Sequence, residues 1–200
     1  MADTKISAMP NATTPLTGAE LVPLVQDGVN VKSTIANFGQ YARGAYFNHG
    51  AWQSTVTQTG SITAGTPFTF NTADVTDGVT LVSGSRLTVP VDGVYNIQFS
   101  AQFQNTDNAQ QNATIWVRID GVDVVGSAGV VTLAQRKSAL IAASTIAGWN
   151  YFLTLTAGQY VEIVWLPDST LVTAPAIPAS LVTPIHPAAA SIIATVAQVG

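Results

Sequence analysis

The chain has 200 residues, of which 47% are hydrophobic and only 9% charged, against about 25% charged in an ordinary soluble domain. That composition excludes intrinsic disorder, which needs high charge and few apolar groups, and a net charge of −4 with no basic patch argues against phosphate-backbone binding. With no cysteine there is no disulfide framework or thiolate metal site, and no apolar run of about 18 residues is present to cross a membrane.

Residues 1–15 are small and polar with two prolines, and read as an extended arm. The start, MADTKISAMPNATT, lacks the apolar core of a signal peptide, so the Asn-x-Thr sequons at Asn11 and Asn112 carry little weight. Leu21 to Val25 and Val29 to Lys32 flank Gln26-Asp27-Gly28, and two apolar runs around Asp-Gly predict a hairpin. Ser33 and Thr34 are placed to cap a short helix over Ile35 to Tyr41, with Gly39 and Gly44 ending it early. This segment is too small to bury a core of its own and should need a neighbour.

From about Gly50 the pattern changes to short strands. Trp52, Ser54, Val56 and Gln58 are expected to share one face of the first, and Pro67 to Phe70 forms an edge-like piece. Arg86 to Val89 leads through the turn cluster Pro90-Val91-Asp92-Gly93. Tyr95, Ile97, Phe99, Ala101 and Phe103 then alternate with Asn96, Gln98, Ser100, Gln102 and Gln104, one dry face and one polar face. After a polar loop over Asn105 to Gln111, Ala113, Ile115, Val117 and Ile119 alternate again, and Asp120-Gly121 turns into Val122 to Val125. Further strands are expected at Val130–Leu133, Leu140–Ile146, Trp149–Thr156 and Tyr160–Trp165, with Ala157-Gly158-Gln159 a tight connection, and Ile192 to Gln198 closes the chain. Residues 167–187 hold five of the ten prolines, and so long a loop is expected to be functional or interfacial.

Short antiparallel strands with Gly, Pro and Asp turns define an all-β sandwich or barrel. A solvated monomeric sandwich dresses its edges with charge, and this chain has little. Uncharged polar rows suit subunit contacts, so a closed oligomer is expected.

The search for chemistry finds little. His49 and His186 are the only histidines, and no Gly-x-Ser-x-Gly elbow occurs. The string Gly121 to Gly126 is followed by Ser127 where a phosphate loop needs Lys. Asp74, Asp77, Asn105, Asp107 and Asn108 fall in expected loops and carry oxygens suited to calcium, but these types are above all turn formers. Asp120 and Asp123 are close enough to suggest a carboxylate pair, yet Asp120 belongs to a turn. No catalytic residue, metal or cofactor is therefore expected. Trp52, Trp149 and Trp165 read as core or subunit packing, while Trp116, opposite Ile115 and Val117, is the candidate exposed ligand contact.

The string from Val82, VSGSRLTVPVDGVYNIQFSAQF, with Ser83, Gly84, Pro90, Gly93 and Tyr95 in place, resembles the signature of the C1q/TNF-like jelly roll. The run Leu153 to Trp165 resembles that family's Leu-x-x-Gly-Asp-x-Val hairpin, with Gln159 where Asp is usual. This resemblance implies a jelly-roll sandwich assembling as a homotrimer. KISAMPNATTPLTGAELVPLVQDGVNVKSTIANF is similar to the leader of tailed-bacteriophage virion proteins, with Leu24 replacing a common Val. Together they imply a virion anchor over residues 1–45, carried by Leu21, Val22, Leu24, Val25 and Ile35, and a jelly-roll knob over residues 46–200.

The expectation is a non-enzymatic capsid decoration or cement trimer on the virion surface, docked on the major capsid protein or another virion protein. The alternative is a short tail or head fibre whose knob binds a host surface glycan. Neither reading requires nucleic acid, membrane or cofactor.

Overall fold

Asp27 and Gly28 sit at φ 52° and 77°, the two left-handed positions of a type I′ turn. They join β1 (Leu21–Gln26) to β2 (Val29–Thr34), which pair antiparallel with Leu24 opposite Val31. Helix α1 (Ile35–Gly44) follows directly, its first turn capped by the Thr34 hydroxyl, which accepts from the Asn37 amide at 3.1 Å. The Ile35 amide donates to the Glu20 carbonyl at 2.9 Å and so ties the helix start to the hairpin entry. Gly39 does not end the helix as expected. It lies within α1, and a glycine there costs only about 1 kcal/mol against alanine. The computed structural model describes residues 19–44 and 48–200, so the expected arm over residues 1–15 and the Asn11 sequon lie outside it. The chain divides into two compact units, Met1–Tyr46 and Phe47–Gly200.

The second unit is an antiparallel jelly-roll sandwich. Its long sheet is built around β9 (Gly93–Asn105), flanked on one side by β13 (Ala143–Leu155) along its whole length. On the other side lie β16 (Ile192–Gln198) and the short β15 (Val172–Ala174). Next come β3 (His49–Ser54) and the edge strand β6 (Thr72–Asp77), with β4 (Gln58–Thr59) beside β15. The second sheet is centred on β10 (Gln111–Ile119) and β14 (Tyr160–Pro167). β11 (Val122–Asp123) and β12 (Gly129–Leu133) extend the β10 side. β5 (Thr66–Pro67), β8 (Arg86–Thr88) and β7 (Thr80–Val82) extend the other.

The period-two rows place the core. Tyr95, Ile97, Phe99, Ala101 and Phe103 of β9 are all buried, and so are Ala113, Ile115 and Val117 of β10. Phe68, one residue past β5, lies parallel to Trp165 at 5.2 Å, and Phe103 from the long sheet meets Trp165 edge-on at 5.5 Å. This aromatic trio pins the sheets together, adding about 0.5–1.5 kcal/mol per ring pair beyond area burial.

Several sequence expectations need correction. The strand that carries Trp52, β3, ends at Ser54, and Val56 beyond it is exposed. Gln58 instead bridges backbone groups of Thr69, accepting from its amide at 2.9 Å and donating to its carbonyl at 3.0 Å. Leu140 lies in a tight loop, bare to solvent, and the expected pair Leu140–Ile146 and Trp149–Thr156 is one strand, β13. Gly148 keeps that strand continuous, because a Cβ there would stand 2.7 Å from the Phe99 carbonyl oxygen. The Ala157-Gly158-Gln159 turn is tight, with the Gln159 amide donating to Thr156 at 3.0 Å, but it makes no hairpin. It carries the chain across the sandwich, since β13 pairs with β9 and β14 with β10. Strands β6, β7 and β15 were not expected. Thr and Asp in TADVTD read as turn formers, and the apolar Val79 that ends that connection is fully buried.

Candidate functional site

The outward positions of β13, β9, β16 and β3 form one surface. In register across it run Gly148, Ser100, Ile193 and Gln53, then Asn150, Gln98, Thr195 and Ala51, then Phe152, Asn96, Ala197 and His49. None of these is Asp, Glu, Lys or Arg; acids enter only at the edge strand β6, where Asp77 lies opposite His49 and Asp74 accepts from the Gln53 side-chain amide at 2.6 Å. Ile146, Phe152 and Ile193 are exposed on it. Gln98, Phe99, Ser100, Ile193 and Thr195 line a shallow depression, and Ser100 and Ile193 share their cross-strand row with the side-chain-free Gly148. Strand β13 is also a sheet edge: thirteen residues, ASTIAGWNYFLTL, with neither proline nor charge. Long edges of this kind are templates for pairing or docking, and natural proteins cover or charge them.

The opposite outer face is different. Asp123, Arg118, Glu162 and Arg86 stand in one row across β11, β10, β14 and β8, alternating in sign. Glu162 is only 6% exposed. Its carboxylate accepts from the Ser85 hydroxyl at 2.7 Å and lies 3.8 Å from the Arg86 guanidinium, which in turn covers the Tyr160 ring at 4.6 Å. Asp123 accepts from the Trp116 indole N–H at 2.7 Å and from Arg118 at 2.9 Å. The Trp116 bond first, then Arg118, hold the Asp123 carboxyl below its ordinary range. Sequence reading missed this row. The available signal was Glu162 itself, one of two glutamates in the chain and the sole acid in an apolar strand.

Trp116 does lie on the non-core face, but it is half-buried. Its indole nitrogen is committed to Asp123, and Gly65 packs so close that a Cβ would stand 2.4 Å from the ring. Asp120 and Asp123 do not face one another as a working pair. Asp120 caps the β14 entry, accepting from the Tyr160 amide at 3.0 Å and from Gln159 at 2.9 Å. The calcium candidates also separate. Asp74 and Asp77 are in strand β6, and Asn105 is fully buried, its amide donating to the carbonyls of Ala109 and Ala134 at 2.9 Å. Among the described residues no group of three or more His, Asp or Glu is placed to hold a metal ion. The sequon residue Asn112 has its side chain bonded to Asp168 and Thr132.

In the first unit, Leu21 and Val25 are exposed on one face of the hairpin, while Val22, Leu24 and Ile35 are half-buried. Val29 and Phe38, which sequence reading did not single out, are exposed as well.

Fold and surfaces thus define an antiparallel jelly-roll sandwich with one outer face uncharged up to its β6 edge and one charge-paired outer face. Among solved structures, the chain is similar to the globular domain of a zebrafish complement 1qA protein, at 15% identity and a TM-score of 0.43, over 77% of this chain and 98% of that one. No family model and no curated protein matches the sequence.

Proposed function

We propose that this protein is a non-enzymatic assembly component of a bacteriophage virion. Its second unit associates as a homotrimer, and its first unit docks on the capsid through the apolar hairpin. The observation that carries this reading is the uncharged outer face of β13, β9, β16 and β3, bordered by a long bare edge strand. Solvated sandwiches need charge on such a surface, whereas identical copies meeting around an axis need its absence. The similarity of the leader string to tailed-phage virion proteins supplies the particle.

Two measurements test it. Light scattering of the full chain at tens of micromolar should give about three times 20.8 kDa, and a monomer would refute the trimer. Leu21→Asp with Val25→Asp changes two exposed residues of one hairpin face. It should leave the fold intact and abolish co-sedimentation with particles lacking the native protein, because a buried unpaired charge is costly. Undiminished binding would place attachment elsewhere than the hairpin.

A further inference from the structure

Between β15 and β16 the chain runs from Pro175 to Ala190 as a two-limbed arm. Ile177 and Ala189 exchange both backbone hydrogen bonds, at 2.9 and 2.8 Å, and Ser180 and His186 do the same at 2.9 and 3.2 Å. The Ser180 hydroxyl donates to the Val182 carbonyl at 2.8 Å and folds the tip. Pro175, Pro178, Pro184 and Pro187 fix φ along the limbs. These bonds and prolines restrict the arm, and restricting it lowers the entropic cost of binding.

Its tip is apolar and uncovered: Leu181 is 89% exposed, Val182 75% and Ile185 73%. Charge is absent not only from the tip but from every position between Ser169 and Gly200. The base of the arm joins the uncharged face. Gln102, outward on β9, donates its side-chain amide to the Ala190 carbonyl at 3.0 Å and its backbone amide to Ser191 at 2.8 Å. Gln53, outward on β3, lines one groove together with Ala176, Ile177 and Ala189.

We infer that the occupant of this tip is a second copy of this chain: the arm of one protomer seats Leu181 and Ile185 in the depression between Ser100 and Ile193 on the face of the next. The inference rests on the assembly reading above and names its docking elements. Charge decides the choice of partner. A basic or acidic partner would be met by opposite charge, and the arm offers none. A copy of the same chain presents an uncharged seat at Ser100 and Ile193, its nearest acids being Asp74 and Asp77 on the far edge strand β6, and a neutral seat avoids like-charge repulsion around a symmetry axis. Arm on face is a heterologous contact, which closes into a ring when its rotation is one third of a turn.

The test uses the full chain, in sedimentation equilibrium, as wild type, Leu181→Asp, Ile185→Asp and the control Val125→Asp. Val125 is fully exposed but lies in the loop after β11, on the other sheet. Both arm variants should weaken association at least about tenfold with unchanged circular dichroism, a carboxylate in an apolar seat being costly, and Val125→Asp should match wild type. Because the chain has no cysteine, co-expressed Leu181→Cys and Ser100→Cys chains should form a disulfide between different copies on oxidation. A monomeric wild type overturns the assembly reading itself. An associating wild type whose arm variants associate equally well overturns only the arm. Weakened association without the cross-link overturns the docking of tip on face.

Discussion

The two outer faces of the sandwich differ in how they treat charge. On the β10–β14 face, Asp123, Arg118, Glu162 and Arg86 alternate across four strands, and each carboxylate has an N–H or O–H donor. Cross-strand pairs of opposite sign fix register, because a one-residue slip would move every charge to the core side. On the β9–β13 face the strands β13, β9, β16 and β3 carry no charge, and no cross-strand ion pair contributes to their register. On that sheet the carboxylates Asp74 and Asp77 are confined to the edge strand β6. If the proposed assembly holds, the β10–β14 sheet stays in water and the β9–β13 sheet is the one covered.

Substitutions can break this comparison, beginning with the core that both faces share. Phe103→Ala should cost about 3–5 kcal/mol in denaturant unfolding, since Phe103 packs on both Phe68 and Trp165 at the centre of the sandwich. A loss below 1 kcal/mol would mean the two sheets are not joined there. Glu162→Ala should cost about 2 kcal/mol, because it strips the nearly buried Ser85 hydroxyl of its partner. Glu162→Gln keeps an acceptor and should cost less. Neither variant should alter association at fixed stability, and dissociation by either would mean the charged face is an interface.

Phe152→Lys probes the other side. Phe152 is exposed, so unfolding of the isolated chain should change by less than about 0.5 kcal/mol. Association, read by light scattering, should nonetheless be lost. If Phe152→Lys associates as wild type, the uncharged face is not the contact.

The smallest effect is that of acid on Asp123. Its carboxyl is held below the ordinary value of 3.8 by the Trp116 and Arg118 hydrogen bonds. The folded value is the lower one, so this stabilisation is complete above pH 3.8 and is lost as pH falls through the depressed value. Below pH 3.8 the fluorescence of Trp116 should shift reversibly as the indole bond weakens, and Asp123→Asn should remove that shift. An identical acid shift in the Asn variant would show that another group causes it.

Much of the architecture was legible because local physics dictates it. Asp27-Gly28 and Asp120-Gly121 demand left-handed backbone, and both pairs supply it in the structure, Asp120 at φ 48° and Gly121 at φ 82°. The rows of β9 and β10 alternate strictly, so one face had to be buried, and the final strand Ile192 to Gln198 was readable in the same way. Other features depended on neighbours distant in sequence. Gly148 falls between the two expected strands Leu140–Ile146 and Trp149–Thr156, yet close approach of the Phe99 carbonyl makes it a requirement of one long strand. Trp116 looked free on a polar face until Gly65 and Asp123 were brought against it. Glu162, in a strand that reads as uniformly apolar, is stable there only because the fold sets Ser85 and Arg86 beside it. Alternation along a strand is a property of the strand alone, so the sequence determines which side chains share a face. What lies over that face is set by which strands become neighbours, and only the tertiary structure decides that.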